Sequence, residues 1–408
     1  MNLKNFSKIH NLIKAEEKRL TETINLIPSE NYPSKAVLEA TGSILTAKYS
    51  EGYPGRRYYA GNEIYDKIEL LAQKKAKEIF KIDESYHVNV QPYSGTPANL
   101  AVYLGLLNFG DKIMGMNLSC GGHLSHGHKV SFSGRAYKVI QYGVSQATGK
   151  INYDEIRKLA KKHKPKLIIS GFTAYPRKIN FRKFHQIAKE VGAISMADIS
   201  HIAGLIVVGL HPSPFPFTDI VTTTTHKTLR GPRGAIIICK NKFAKVIDRA
   251  VFPGIQGGPH NNIIAAKAVC FEEARKPAFR KYQEQIIKNA KVLAQELKKY
   301  GFNLISDGTD NHLILVDLRN KGITGKEAEE RLEKAGIIVN RNTIPNDPRK
   351  PFNPSGIRLG TPAVTTRGMR EKEMKKIAFW ISEVISDFKS ISKIREEVRK
   401  WIIYYLHT

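Results

Sequence analysis

Residues 219–234 read DIVTTTTHKTLRGPRG, and the architecture is read outward from them. The β-branched run 221–225 favours an extended strand. His226 and Lys227 follow at its end, then a turn rich in Gly and Pro (Gly231, Pro232, Gly234), then a second apolar run at 235–239. The expected layout is strand, polar turn carrying one lysine, strand. A lysine between two strand ends has little conformational freedom. If it is desolvated beside cations such as His226, Arg230 and Arg233, its amine loses a proton more easily and becomes nucleophilic. That is the chemistry of a Schiff-base lysine. Most single lysines are solvated tips, so the surrounding residues must carry this reading.

Alternating strands and helices lie on either side of that stretch. Apolar residues recur at helical spacing over 65–79, short apolar runs mark strands at 88–92, 112–116, 167–170 and 193–197, and 180–191 reads as a helix. This pattern predicts a mostly parallel sheet with crossover helices and ligands at the C-terminal strand ends. Asp198 and Thr173 fall at such ends. From about residue 273 the pattern changes to a basic helical stretch interrupted at Pro277. Strands at 312–318 and 337–339, a helix at 325–335 and two C-terminal helices follow, a smaller α+β arrangement.

The motifs occur in a fixed order: LIPSENYPS (26–34), KYSEGYPGRRYYAGNE (48–63), QPYSGTPANLAVY (91–103), GGHLSHG (121–127), GFTAYPR (171–177), ADISHIAGL (197–205), TTTTHKTLRGPRG (222–234), FPGIQGGPH (252–260), LVDLRNKGITGKEAE (315–329) and SGIRLGTPAVTTRG (355–368). Together they resemble the serine hydroxymethyltransferase (glycine hydroxymethyltransferase) family along nearly the whole chain. The resemblance implies an α/β pyridoxal-phosphate (PLP) transferase fold of type I. A large domain would hold a mostly parallel, seven-stranded-type sheet, and a smaller α+β domain would follow. The expected division is an arm at 1–45, a PLP-binding domain at 46–272 and a C-terminal domain at 273–408.

By the same resemblance, Lys227 carries PLP, with His226 beside it and Glu51 moving protons near the substrate hydroxyl. Ser94, Gly95 and Thr96 form the phosphate cup; small residues at a helix start do present N–H groups and hydroxyls to an anion. His123 stacks on the pyridine ring. Asp198 keeps the ring nitrogen protonated through a charge-assisted hydrogen bond, which makes the ring an electron sink. Thr173 and His201 complete the coenzyme's surroundings. Tyr49, Tyr59, Gly257 and Gly258 serve the neighbouring subunit's site, which implies a homodimer or a tetramer. Ser29 and Arg358 bind the amino-acid carboxylate, a guanidinium being suited to two parallel hydrogen bonds. Leu118, Gly122, Leu124 and Asn342 contact tetrahydrofolate, the co-substrate. The implied reaction converts L-serine and tetrahydrofolate reversibly to glycine and 5,10-methylenetetrahydrofolate.

On composition alone several of these residues read more plainly: Ser29 as a helix cap, Glu51 as a solvent-facing carboxylate, Arg358 as a surface residue beside a turn. The spacing His123-x-x-His126-x-His128 suggests a metal site, but no carboxylate or cysteine pattern completes it, so no metal is expected and His126 and His128 read as loop histidines without a role. Residues 47–62 carry Tyr49, Tyr53, Tyr58 and Tyr59 with Glu51, two arginines and three glycines, a mixture that suits an interface or pocket rim.

The 408 residues are 41% apolar and 25% charged, the balance of a globular protein. No apolar run reaches membrane-span length, residues 1–20 lack the apolar core of a signal peptide, and three cysteines without metal or disulfide spacing fit a reducing, cytoplasmic setting. The formal net charge of +28 admits three readings: a general lysine bias, an anionic substrate such as a polyglutamylated folate, or nucleic acid. The lysines are spread along the chain, which favours the first and leaves no dedicated nucleic-acid or membrane partner expected. A folate-independent aldolase or aminotransferase of the same fold is the nearest competing enzyme.

Overall fold

The computed structural model describes residues 5–405. The outermost residues of the expected arm and of the expected C-terminal domain, 1–4 and 406–408, lie outside the described residues. Contacts divide the chain into two compact units. One runs from Asn31 to Glu284; the other joins the residues up to Glu30 with those from Gln285 onward. The boundaries expected from sequence lay at 45/46 and 272/273.

The first unit is built on a seven-stranded sheet. Its strands are β1 (Tyr86–Asn89), β2 (Lys112–Met116), β3 (Lys138–Tyr142), β4 (Leu167–Ser170), β5 (Ile194–Asp198), β6 (Ile220–Thr224) and β7 (Ala235–Lys240). Their spatial order is β1-β7-β6-β5-β4-β2-β3. β7 pairs antiparallel with both neighbours, and every other pairing is parallel. β4, β6 and nearly all of β5 and β7 are buried, as strands covered on both faces must be. Their side chains, among them Leu167, Ile169, Met196, Ile220, Ile237 and Cys239, form one core with the helix Gly95–Leu106. β6 and β7 are joined in register Thr224↔Ala235, so Lys227 sits in the loop 225–234 between paired strand ends. The mostly parallel α/β fold expected from sequence is the one found.

The second unit carries a four-stranded antiparallel sheet: β8 (Asn303–Leu304), β9 (Leu313–Asp317), β10 (Asn340–Asn342) and β11 (Gly356–Gly360), ordered β8-β9-β11-β10. Ile24–Asn25 pairs in parallel with Ile337–Ile338. Ile24 and Leu26 are fully buried in a core with Leu332, Ile357, Leu359 and Trp380. Within the segment expected to be an arm, residues 24–26 are anchored in their own chain by this pairing and burial. The helix before them, Ser7–Thr21, buries no residue. Ser29 does not cap a helix. It lies in a turn closed by Glu30 N–H on the Ile27 carbonyl, and Ser34 caps the helix Lys35–Thr41, with its hydroxyl accepting Val37 N–H at 3.2 Å.

Candidate active site

In the first unit the site is assembled at the C-terminal end of β5. Asp198 is 9% exposed and its carboxylate is fully engaged. Oδ1 accepts Ser200 N–H (3.1 Å) and the Ser200 hydroxyl (2.6 Å). Oδ2 accepts Asn99 Nδ2 at 2.9 Å and lies 3.0 Å from His126 Nε2. Burial by itself would raise this carboxyl. The His126 hydrogen bond, the nearby His126 and His123 imidazoles and the Asn99 amide outweigh burial and hold it well below the usual carboxylate range. Asp198 is thus kept anionic. His126 corrects the expectation that it is idle: it is 2% exposed and directed at Asp198. Its role arises from a 3₁₀ turn, Leu124–His126, that no spacing rule reveals.

Asn99 links this carboxylate to His123. Its second amide N–H goes to Ser125 Oγ at 2.9 Å, and its oxygen accepts the Thr222 hydroxyl at 2.7 Å. Ser125 Oγ lies 2.7 Å from His123 Nδ1, which also accepts Ser125 N–H at 3.1 Å. An accepting Nδ1 places the His123 proton on Nε2. Thr173 ties the loop after β4 to the same region: its N–H and hydroxyl donate to Gly121 O (2.8 and 3.1 Å), and the hydroxyl also reaches Gly122 O (2.8 Å). Leu118 opens a neighbouring 3₁₀ turn, and Leu124 is 46% exposed.

The lysine loop is pinned by backbone. Lys227 O accepts Asn31 Nδ2 at 2.9 Å and Arg230 N–H at 3.0 Å. The Thr228 hydroxyl donates to His201 O (3.0 Å), and Gln283 Nε2 donates to Thr228 O (2.7 Å). The Thr225 hydroxyl closes the loop on Pro232 O (2.6 Å). One premise of the sequence reading fails here. His226 is not a cation beside Lys227: burial, then the charges of Lys227 and Arg233, pull its imidazole down to about 3, against a hydrogen bond with Gly234. Arg230 is turned to the Tyr282 ring, 5.3 Å from its centroid.

Three observations test whether PLP fits this unit. Ser94 stands at the N-cap of the helix Gly95–Leu106, yet its side chain caps no helical N–H. A Cβ on Gly95 would come within 2.8 Å of Thr224 Cγ2, so only glycine lets the helix start approach β6. Thr224 Oγ1 and His226 Nδ1 are buried and find no hydrogen-bond partner among the described residues. Uncommitted donors at a helix start, an ionised carboxylate and a lysine in the loop after the adjacent strand fit the phosphate, ring nitrogen and aldehyde of PLP. Among the described residues no group of three or more His, Cys, Asp or Glu side chains is placed to hold a metal ion.

A second cluster in the same unit gathers Tyr49, Glu51, Tyr59, Gly257 and Gly258. The Tyr49 and Tyr59 rings are 5.3 Å apart and both are exposed. A Cβ on Gly258 would come within 2.9 Å of Tyr49 Cε1, and one on Gly257 within 3.1 Å of Glu51 Oε1. Glu51 is held from behind by Arg57, which sequence reasoning missed. Arg57 Nη1 bonds Ser50 O and Gly52 O, both at 2.8 Å, on either side of Glu51. The same guanidinium pairs with Glu69 (2.7 Å) and Asp66 (2.8 Å), its side chain only 4% exposed. Gln91 Nε2 bonds Glu69 Oε1 and Gly52 O, both at 2.9 Å.

In the second unit Arg358 lies on β11, not beside a surface turn. It faces Asn340 across the ladder, and its Nε donates to Asn340 Oδ1 at 3.1 Å. Burial lowers this guanidinium to about 10, with the Glu30 charge opposing. It therefore remains protonated at neutral pH. The Ser29 turn is drawn to the same strand: Gly360 N–H bonds Leu26 O at 2.7 Å, and Pro28 packs on Gly360. Asn342 sits on β10, with its Nδ2 donating to Thr343 O at 2.6 Å.

The serine hydroxymethyltransferase family model matches residues 4–381. A curated serine hydroxymethyltransferase from Acidothermus cellulolyticus is 59% identical over 376 residues, 92% of this chain and 87% of the relative. With a family model across most of its length and a relative this similar, the chain belongs to the serine hydroxymethyltransferase family.

Proposed function

We infer that the protein is a PLP-dependent glycine hydroxymethyltransferase. It interconverts L-serine plus tetrahydrofolate with glycine, 5,10-methylenetetrahydrofolate and water. The observation that carries this reading is the ionised Asp198, held by His126, Asn99 and Ser200 on the strand next to the one that leads to Lys227.

When bound, PLP supplies an electron sink for the pair released as the Cα–Cβ bond of serine breaks. Asp198 holds a proton on the ring nitrogen. Ser94, Gly95, Thr96 and the orphaned Thr224 hydroxyl bind the phosphate. His123 covers a ring face and excludes water, with Nδ1 already occupied by Ser125. Lys227 would hold the aldehyde end of the coenzyme and offer its amine there. Arg358, oriented by Asn340, and Ser29 hold the amino-acid carboxylate. Glu51 moves a proton at the serine hydroxyl, and Leu118, Gly122, Leu124 and Asn342 orient the folate.

The working form is a homodimer or a tetramer. The exposed pair Tyr49 and Tyr59, beside Gly257 and Gly258, suits completion of a second copy's site. No helix among the described residues is long and apolar enough to cross a membrane, and a cytoplasmic location fits three free, buried cysteines. The test is glycine formation from serine with and without tetrahydrofolate. A rate independent of folate refutes the transferase reading and favours an aldolase. Full activity in a PLP-loaded monomer at high dilution refutes the dimer.

A further inference from the structure

Lys267 lies in the helix Asn261–Ala274 and is 1% exposed. Its ammonium donates to Val90 O (2.7 Å), Pro92 O (3.1 Å) and Ala235 O (2.8 Å), which uses all three N–H bonds. The first two carbonyls belong to the segment that leads from β1 into Ser94-Gly95-Thr96. The third opens β7, by which the chain leaves the Lys227 loop. Gln256 covers the rest of that segment: Oε1 accepts Tyr93 N–H at 3.0 Å and Nε2 donates to Gln91 O at 3.1 Å. At the loop's exit a Cβ on Gly234 would come within 2.5 Å of Lys267 Cε and 3.2 Å of Nζ.

Methionine would fill this volume without bringing a charge into the interior, and a buried charge is costly unless it is fully hydrogen-bonded. Burial pulls this amine down to about 7, with the Glu69 charge opposing. What an ammonium provides here, and methionine would not, is three donors converging on carbonyls from two separate segments. Those segments are the ones that carry the two ends of the coenzyme site.

We propose that Lys267 is a positioning residue that ties the approach to Ser94-Gly95-Thr96 to the exit of the Lys227 loop, and so sets the spacing between the phosphate-holding and aldehyde-holding ends of the site. This rests on the PLP reading given above. Lys267 itself touches neither coenzyme nor substrate.

The test compares native protein with Lys267→Met, reading the dissociation constants of PLP and of pyridoxal, which lacks the phosphate, by visible absorption. A displacement of order one ångström should weaken PLP by roughly ten- to a hundredfold, while pyridoxal, held at one end only, changes by less than about threefold. Equal losses for both ligands would mean general loosening and would overturn the proposal, as would unchanged PLP affinity. If Lys267→Met does not fold, Lys267→Gln, which keeps two donors, is read by the same ratio. Borohydride reduction and peptide mapping of the native holoenzyme separate the two claims. A tag on Lys227 with no selective loss in the variant removes only the Lys267 proposal. A tag elsewhere removes both.

Discussion

Asp198 Oδ2 stands 3.0 Å from His126 Nε2, and His126 Nδ1 in turn receives His123 N–H at 3.4 Å. The imidazole therefore presents its proton to the carboxylate from a ring whose other nitrogen is already used. The arrangement fixes both the orientation and the ionisation of Asp198 before any ligand arrives.

Replacing His126 with Leu removes one donor from a buried anion. Hydrogen bonds to charged groups contribute about 1.5–3 kcal/mol, so PLP affinity and kcat together should fall roughly ten- to a hundredfold. Absorbance titration with PLP and steady-state serine cleavage measure both. Native values in the variant would deny His126 any part in tuning Asp198.

Arg57 should govern stability and the behaviour of Glu51 together. Breaking a buried ion pair by removing one partner costs about 3–5 kcal/mol, and Arg57→Met should lose that order in chemical denaturation. Its effect on kcat should not add to that of Glu51→Gln, because both changes act on one group. Additive losses would show that Arg57 supports the fold alone.

Arg358→Ala should raise the KM for serine by roughly two orders of magnitude, the effect of losing two charge-assisted hydrogen bonds. Asn340→Ala, which leaves the guanidinium present but unsteadied at Nε, should raise it by about three- to tenfold with little change in kcat. An unchanged KM in Arg358→Ala would withdraw that assignment.

Acid should destabilise the coenzyme-free protein through His226 as well as Asp198. The folded value of His226, about 3, lies below its ordinary 6.5, so between them the unfolded chain binds the extra proton. Its contribution is complete above about pH 6.5 and is lost as the pH falls toward 3. The slope from this one group is at most about 1.4 kcal/mol per pH unit. His226→Asn should flatten the pH dependence of the thermal midpoint across that window. Parallel curves for the two proteins would contradict it. Asp198 acts in the same direction, in the range where carboxylates ordinarily titrate.

Much of this was legible in the chain. The β-branched run before His226 and Lys227 specified a strand because its residues restrict backbone and side chain locally. Asp198 was placed at a strand end by the same periodicity. Arg358 was found by its motif, but its strand was not: SGIRLG offers little alternation, and only pairing with β9 and β10 makes it extended. His126, Ser125 and Asn99 were passed over because their partners lie far along the sequence. Arg57 was one of two arginines in a stretch read as a rim, and nothing local distinguished Lys267; only burial shows what either does.

The sequence alone determined which chemical groups are present, in what order, and on which strands and turns, because those choices rest on local sterics and on the period of apolar residues. Tertiary structure decided the states of those groups. Asp198 is anionic and Lys267 fully coordinated because of neighbours brought from tens of residues or more away, and His226 is neutral because burial removes its water beside the charges of Lys227 and Arg233. Ionisation answers to the solvent and charge around a group, and those exist only once the chain has closed.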